Sequence, residues 1–167
     1  MAIMPKMSNV TVRRARIVDL PTLGRLGASL ARAHHRWDPK RFFVVPKMHE
    51  GYAWWLGREL KSRKAVVLTA ERAGRIVGYA YGRVEPRDWN ALRDECGVAV
   101  DLIVSPRVRG QGVGRILGQA LLAAFEKKGV PRVILLAATK NKDAQRLFHR
   151  MGFRPTVVEM ALEIRRR

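Results

Sequence analysis

The sequence predicts an α/β (α+β) fold, and three observations carry that prediction. The run Val98-Ala99-Val100-Asp101-Leu102-Ile103-Val104 is apolar and rich in β-branched residues, as a buried strand is, and Pro106 ends it. A patterned helix over 116–128 and a second apolar strand over 132–138 follow, so the two strands are joined by a right-handed parallel crossover. Upstream, strands over 65–71 and 75–84 flank Arg72-Ala73-Gly74 and read as an antiparallel hairpin.

Taken in order, residues 1–9 read as a loose tail and 10–167 as one domain. Val10, Val12 and Ile17 mark a first strand over 10–17. Asp19 is placed to cap a helix, with Pro21 tolerated in its first turn. Leu23, Leu26, Leu30 and Ala33 keep helical spacing until His34-His35-Arg36-Trp37, and Asp38-Pro39 breaks the helix. A second helix covers 48–61, with Tyr52, Trp55, Leu56 and Leu60 facing inward. After the hairpin, 85–96 is a polar connection. In the crossover helix Val113, Ile116, Leu117, Ala120, Leu121 and Ala124 share one face, and Gly129 and Pro131 stop it. Asn141 starts a last helix with Ala144, Leu147, Phe148 and Met151 on one face, and Gly152 ends it. Residues 153–164, carrying Val157, Val158, Met160, Leu162 and Ile164, read as one or two closing strands.

Composition narrows the function classes. A chain of 167 residues with 47% hydrophobic content has enough apolar side chain for a core. No apolar run approaches the ~20 residues of a membrane span, and residues 1–9 lack the pattern of a secretion signal. Cys96 is the single cysteine, which excludes an internal disulfide and suits a reducing compartment, the cytoplasm by default. A net charge of +19 attracts polyanions and predicts non-specific contact with nucleic acid. A solvated basic surface accounts for it better, because the arginines and lysines are spread along the chain.

The chemistry concentrates in the turn after the central strand, Arg107-Val108-Arg109-Gly110-Gln111-Gly112-Val113-Gly114-Arg115. A strand, a glycine turn and a helix start gather backbone N–H groups at one point, where the helix dipole favours an anion. The spacing is not that of a P-loop, since Arg115 stands at its second glycine and no Lys-Ser/Thr follows. A dinucleotide fingerprint fails as well, because its third glycine falls on Arg115 or Leu117. What remains is R-x-x-G-x-G, carried by Arg109, Gly112 and Gly114.

This motif resembles the acyl-CoA signature of the GNAT superfamily of N-acetyltransferases. Residues 141–153, which fit N-x-x-A-x-x-L-[YF]-x-x-x-G-F, resemble its second hallmark. The two stand in the family's order, with one strand between them. The resemblance implies a mixed, mostly antiparallel, twisted sheet flanked by about four helices, its central strands splayed into a slot for acetyl-CoA. By the same resemblance, backbone groups of Leu102, Ile103 and Val104 pair with pantetheine. Arg109, Gly110, Gln111, Gly112, Val113, Gly114 and Arg115 cradle the pyrophosphate, while Asn141 and Phe148 contact the cofactor arm. Asn141 serves equally well as a helix cap. No metal is implied.

Acetyl transfer to an amine needs a neutral nucleophile, and lysine-type amines hold their proton until about pH 10.4. Asp101, the one charged side chain in the apolar strand, is the leading candidate for base or substrate-orienting acid, with Glu159 and Glu95 behind it. The position where the family often carries a general-acid tyrosine is Phe148, which donates no proton. Tyr79 or Tyr81 is then a substitute, or water or an unaided thiolate completes the reaction. Glu85, Asp88, Asp94, Glu95 and Asp101 form either an acidic mouth for an amine or ion pairs with Arg83, Arg87 and Arg93. Three functions remain open: an N-acetyltransferase acting on a primary amine of a peptide, protein or small molecule; an acyl-CoA-binding sensor with little turnover; and a basic nucleic-acid- or ribosome-associated protein on the same fold. Monomer and homodimer are both compatible with the sequence.

Overall fold

A computed structural model describes residues 9–164. Five strands form one sheet in the order β1-β2-β3-β4-β5: β1 Val10–Arg14, β2 Ala65–Arg72, β3 Arg75–Glu85, β4 Cys96–Val104 and β5 Val133–Leu135. The first four pair antiparallel, and β4 and β5 pair parallel, as the crossover requires. Helices α1 (Leu20–Trp37) and α2 (Met48–Glu59) cover one face, and α3 (Val113–Glu126) covers the other. Helix α4 (Lys142–Arg150) follows β5.

Alternation along the strands divides the core into two layers. Leu23 and Leu56 from the helices meet Val67, Tyr79, Tyr81 and Ile103 on one face. Leu117, Leu121 and Phe125 of α3 meet Val66, Leu68, Ala70 and Ala80 on the other. Two glycines set the spacing here. A Cβ on Gly82 would lie 2.7 Å from the Phe125 ring, and one on Gly97 would lie 2.9 Å from it.

The structure corrects several boundaries. The first strand stops at Arg14, and Ile17–Asp19 forms a 3-10 turn. Asp19 stands at the N-cap of α1 but makes no side-chain cap. Its carboxylate instead accepts from Arg16 N at 2.7 Å, closing the preceding 3-10 turn, and from the Arg13 guanidinium at 2.7 Å in a charge-assisted bond. Helix α3 begins at Val113 rather than 116, and β5 keeps only three residues. No strand forms over 153–164: this stretch runs without regular structure, and Val157, Val158, Met160, Leu162 and Ile164 are exposed. Glu159, expected in a late strand, lies there in an ion pair with Arg41. The loose tail expected at 1–9 lies outside the described residues apart from Asn9.

Candidate acyl-CoA and acceptor site

The site begins where β4 and β5 part. They are paired at Gly97↔Val133, Val98↔Ile134 and Ala99↔Leu135, and β4 then continues alone to Val104. At the same level β4 shifts register against β3, leaving Val100 as a bulge between Ala99 and Asp101. A bulge re-aims the residues beyond it. Ser105 N donates to Val77 O at 2.8 Å, and Ile103 pairs with Tyr79, so these positions direct their main-chain groups to β3. By alternation, Leu102 and Val104 turn theirs to the open side. Of the three residues expected to offer main-chain groups to pantetheine, Ile103 is therefore already engaged, and Val104 O is taken by the Arg109 side chain.

Beyond β4 the chain makes a 3-10 turn at Pro106–Val108 and enters the glycine segment. Gly110 and Gly112 have φ of +74° and +83°, a backbone region that side chains with a Cβ enter at a cost. Nothing lies within 4 Å of a Cβ built on either, so the loop faces open space. Gly112 is the N-cap of α3 and provides no capping side chain, and the first turn carries no acid. The first regular helical bond is Ile116 N to Gly112 O, so the amides of Val113, Gly114 and Arg115 have no intrahelical acceptor. Arg109 turns back, Nε donating to Val104 O at 3.1 Å, and the Gln111 side chain accepts from Arg72. The amides of Val113, Gly114 and Arg115 are thus free donors in a basic surround, suited to linked phosphates. Asn141 caps α4, its side-chain oxygen accepting from Ala144 N at 3.2 Å. Phe148 packs edge-on against Phe153 at 5.7 Å between ring centres.

On the face covered by α1 and α2, Asp101 is 8% exposed and accepts from the Tyr79 hydroxyl at 2.7 Å. Burial raises its pKa, against the lowering effect of the Tyr79 hydrogen bond. Burial and the Asp101 carboxylate hold the Tyr79 hydroxyl well above its usual range. Tyr81, the other tyrosine expected to replace the missing acid, donates to Glu59 at 2.7 Å. The acidic segment is largely paired: Arg83 with Glu85, Arg87 with Asp94, and Arg93 with Asp88. Cys96 is buried, and burial raises its thiol pKa.

Two residues on this side carry chemistry although the sequence pattern marks them as a core aromatic and a helix end. Tyr52 of α2 titrates above its usual range through burial and the field of Asp101. Its ring lies where a Cβ on Gly27 would be, 2.3 Å from that position. His34 of α1 is the second. The signal for both was Gly24 and Gly27, one turn apart, which let α2 press closely against α1. A separate cleft of about 360 Å³ lies under β1 and α2, lined by Arg14, Arg16, Glu59 and Lys61 among others, and shares none of these groups. Among the described residues no group of three or more His, Cys, Asp or Glu side chains is placed to hold a metal ion. No described helix is long and apolar enough to cross a membrane.

Residues 30–153 match the model of the acetyltransferase (GNAT) family, a span that includes β4, the glycine loop and the second hallmark. The chain belongs to that family. It is 29% identical over 119 residues to a mycothiol acetyltransferase of Thermomonospora curvata, covering 67% of this chain and 38% of the relative. It is 28% identical over 183 positions to a mycothiol acetyltransferase of Thermobispora bispora, covering 85% and 62%. The chain thus spans less than two thirds of either relative. Among solved structures, a tetramutant of the BH1408 protein of Bacillus halodurans superposes with a TM-score of 0.81 at 20% identity, covering 92% of this chain and 99% of that one. The aminoglycoside N-acetyltransferase AAC(6')-Iy in complex with CoA superposes with a TM-score of 0.71 at 18% identity, covering 99% of both chains. These likenesses establish the GNAT fold.

Proposed function

We propose that this chain transfers an acetyl group directly from acetyl-CoA to a primary amine. The observation that carries the reading is the parting of β4 and β5 beside a helix start whose amides are unspent. In this reading the Leu102 main chain and the Val104 N–H take the pantetheine arm like an added strand. The amides from Gly110 to Arg115 take the pyrophosphate, and Asn141 borders the arm while serving as a cap. Holding thioester and amine in one slot supplies part of the barrier reduction without a covalent enzyme intermediate. Main-chain N–H groups beside the Val100 bulge are the donors for the developing oxyanion. Asp101 gives the acceptor ammonium a counter-charge on the α1/α2 side. The relatives named mycothiol acetyltransferase support a small-molecule acceptor over a protein one.

Phe148 favours a second reading, an acyl-CoA-binding module with little turnover, because no proton donor stands at that position. A thiol leaving group with a pKa near ~8.5 departs without much help, so loss of the acid is compatible with catalysis. Thiol release from acetyl-CoA across a panel of amines decides between them. Amine-dependent release supports the transferase, whereas tight cofactor binding with no release on any amine supports the sensor.

A further inference from the structure

The acceptor side holds a base that neither hallmark motif contains. His34 Nδ1 lies 3.0 Å from Leu30 O. A carbonyl only accepts, so Nδ1 carries the proton, and in the neutral ring the free lone pair is on Nε2. The ring is held on two sides by aromatic edges, Trp37 at 5.0 Å and Phe42 at 4.9 Å between ring centres. It is half-buried, so it remains reachable.

Its position in the fold matters more than its packing. Gly27 and His34 are seven residues apart on α1, hence on one helix face. Gly27 takes the Tyr52 ring of α2 against its backbone, and Leu30, one turn before His34 and bonded to it, packs against the core cluster that holds Tyr79, the partner of Asp101. Just beyond His34, Lys140 Nζ donates to Trp37 O at 2.7 Å and ties the end of α1 to the loop that leaves β5. The end of α1 is thus tied to the segment that parts from β4, and His34 lies one turn before that tie.

Resting on the transferase reading above, we propose that His34 is the general base, its Nε2 taking the proton from the acceptor ammonium. The N–H bond breaks as the Nε2–H bond forms, and the electron pair left on nitrogen attacks the thioester carbonyl. The C–S bond then breaks, the acetylated nitrogen sheds its second N–H proton to water to give the neutral amide, and coenzyme A leaves as thiolate, which takes up a proton from water. The imidazolium returns its proton to solvent at the open side of the ring. Asp101 holds the positive charge in place during this sequence, as ammonium first and as imidazolium afterwards.

The variant that separates this role from packing is His34→Asn. The Asn amide nitrogen reproduces Nδ1 and keeps the donor to Leu30 O, but nothing replaces Nε2. The measurement is thiol release from acetyl-CoA with primary alkylamines, which are ammonium ions in mildly alkaline buffer, and with hydroxylamine, which is already neutral there. The expected result is a fall of roughly 10²–10⁴ in the alkylamine-to-hydroxylamine rate ratio, with cofactor affinity and thermal midpoint near those of the parent. An unchanged ratio overturns the assignment, whether both rates hold or both fall together. If His34→Asn is unstable, His34→Gln is measured against the same ratio. Absence of thiol release by the parent chain with every amine and with hydroxylamine overturns the transferase reading itself, and the role of His34 with it.

Discussion

Phe125 and Met160 stand on opposite sides of a divide in this molecule. Phe125 is enclosed beneath Gly82 and Gly97, and Met160 is 90% exposed. Before the divide, β1 to β4 with α1 to α3 bury side chains on both faces of the sheet. After Phe125 no described residue is buried, and the apolar face of α4 is only half covered. The slot opens along this seam, between β4 of the first region and β5 of the second. One wall is therefore fixed by packing, and the other has little packing of its own to hold it. A site arranged in this way gains order when a cofactor fills the gap, because the ligand supplies contacts the second wall lacks.

The comparison breaks or holds first on stability. Phe125→Ala is expected to cost about 3–5 kcal/mol, since it empties a site that two glycines were shaped to receive. Met160→Ala is expected to change stability by less than about 0.5 kcal/mol. Urea denaturation of both variants measures the contrast, and comparable losses would erase it.

A smaller effect comes from Asp19. The Arg13 guanidinium and then the Arg16 amide hold its carboxyl below the usual range, against the opposing effect of burial. A lowered folded-state pKa contributes stability that is present above the unfolded value and is lost as pH falls through the folded one. Asp19→Asn is expected to cost roughly 1–3 kcal/mol near neutral pH and progressively less in acid. A difference from the parent that does not shrink in acid would show that the ion pair is not its source.

The smallest effect on stability, and of opposite sign, is at Asp101. Burial raises its pKa, so its charge opposes folding increasingly as pH rises from the unfolded value towards the folded one. Asp101→Asn is expected to leave the thermal midpoint unchanged or slightly higher near neutral pH while lowering acetyl transfer. A clear loss of stability would mean that Asp101 is there for the fold rather than for the acceptor.

The same divide governs what could be read from the chain. Strands β2 and β3, helices α1 and α3 and the Asn141 cap were legible because their signals are local: alternation, helical spacing and a capping residue. The closing stretch was read as strand for an equally local reason, since Val158, Met160, Leu162 and Ile164 alternate with other residues. A strand also needs a neighbouring edge, and alternation does not contain that neighbour. Asp19 was read as a cap because its distant partner, Arg13, sits on a strand whose position no spacing reveals. The glycine loop was legible because positive φ demands glycine. His34 and Tyr52 were read as a helix end and a core aromatic, because their nearness to Asp101 arises only once α2 is pressed onto α1.

The central claim is that unspent amides at the start of α3 grip the pyrophosphate of coenzyme A. Calorimetric titration of acetyl-CoA into the parent chain and into Gly112→Val tests it most directly, with thermal unfolding confirming that the variant is folded. Valine both resists the φ of +83° and fills the space before the amides, so cofactor affinity is expected to fall at least ~10-fold. A folded variant that binds acetyl-CoA as tightly as the parent would contradict the account.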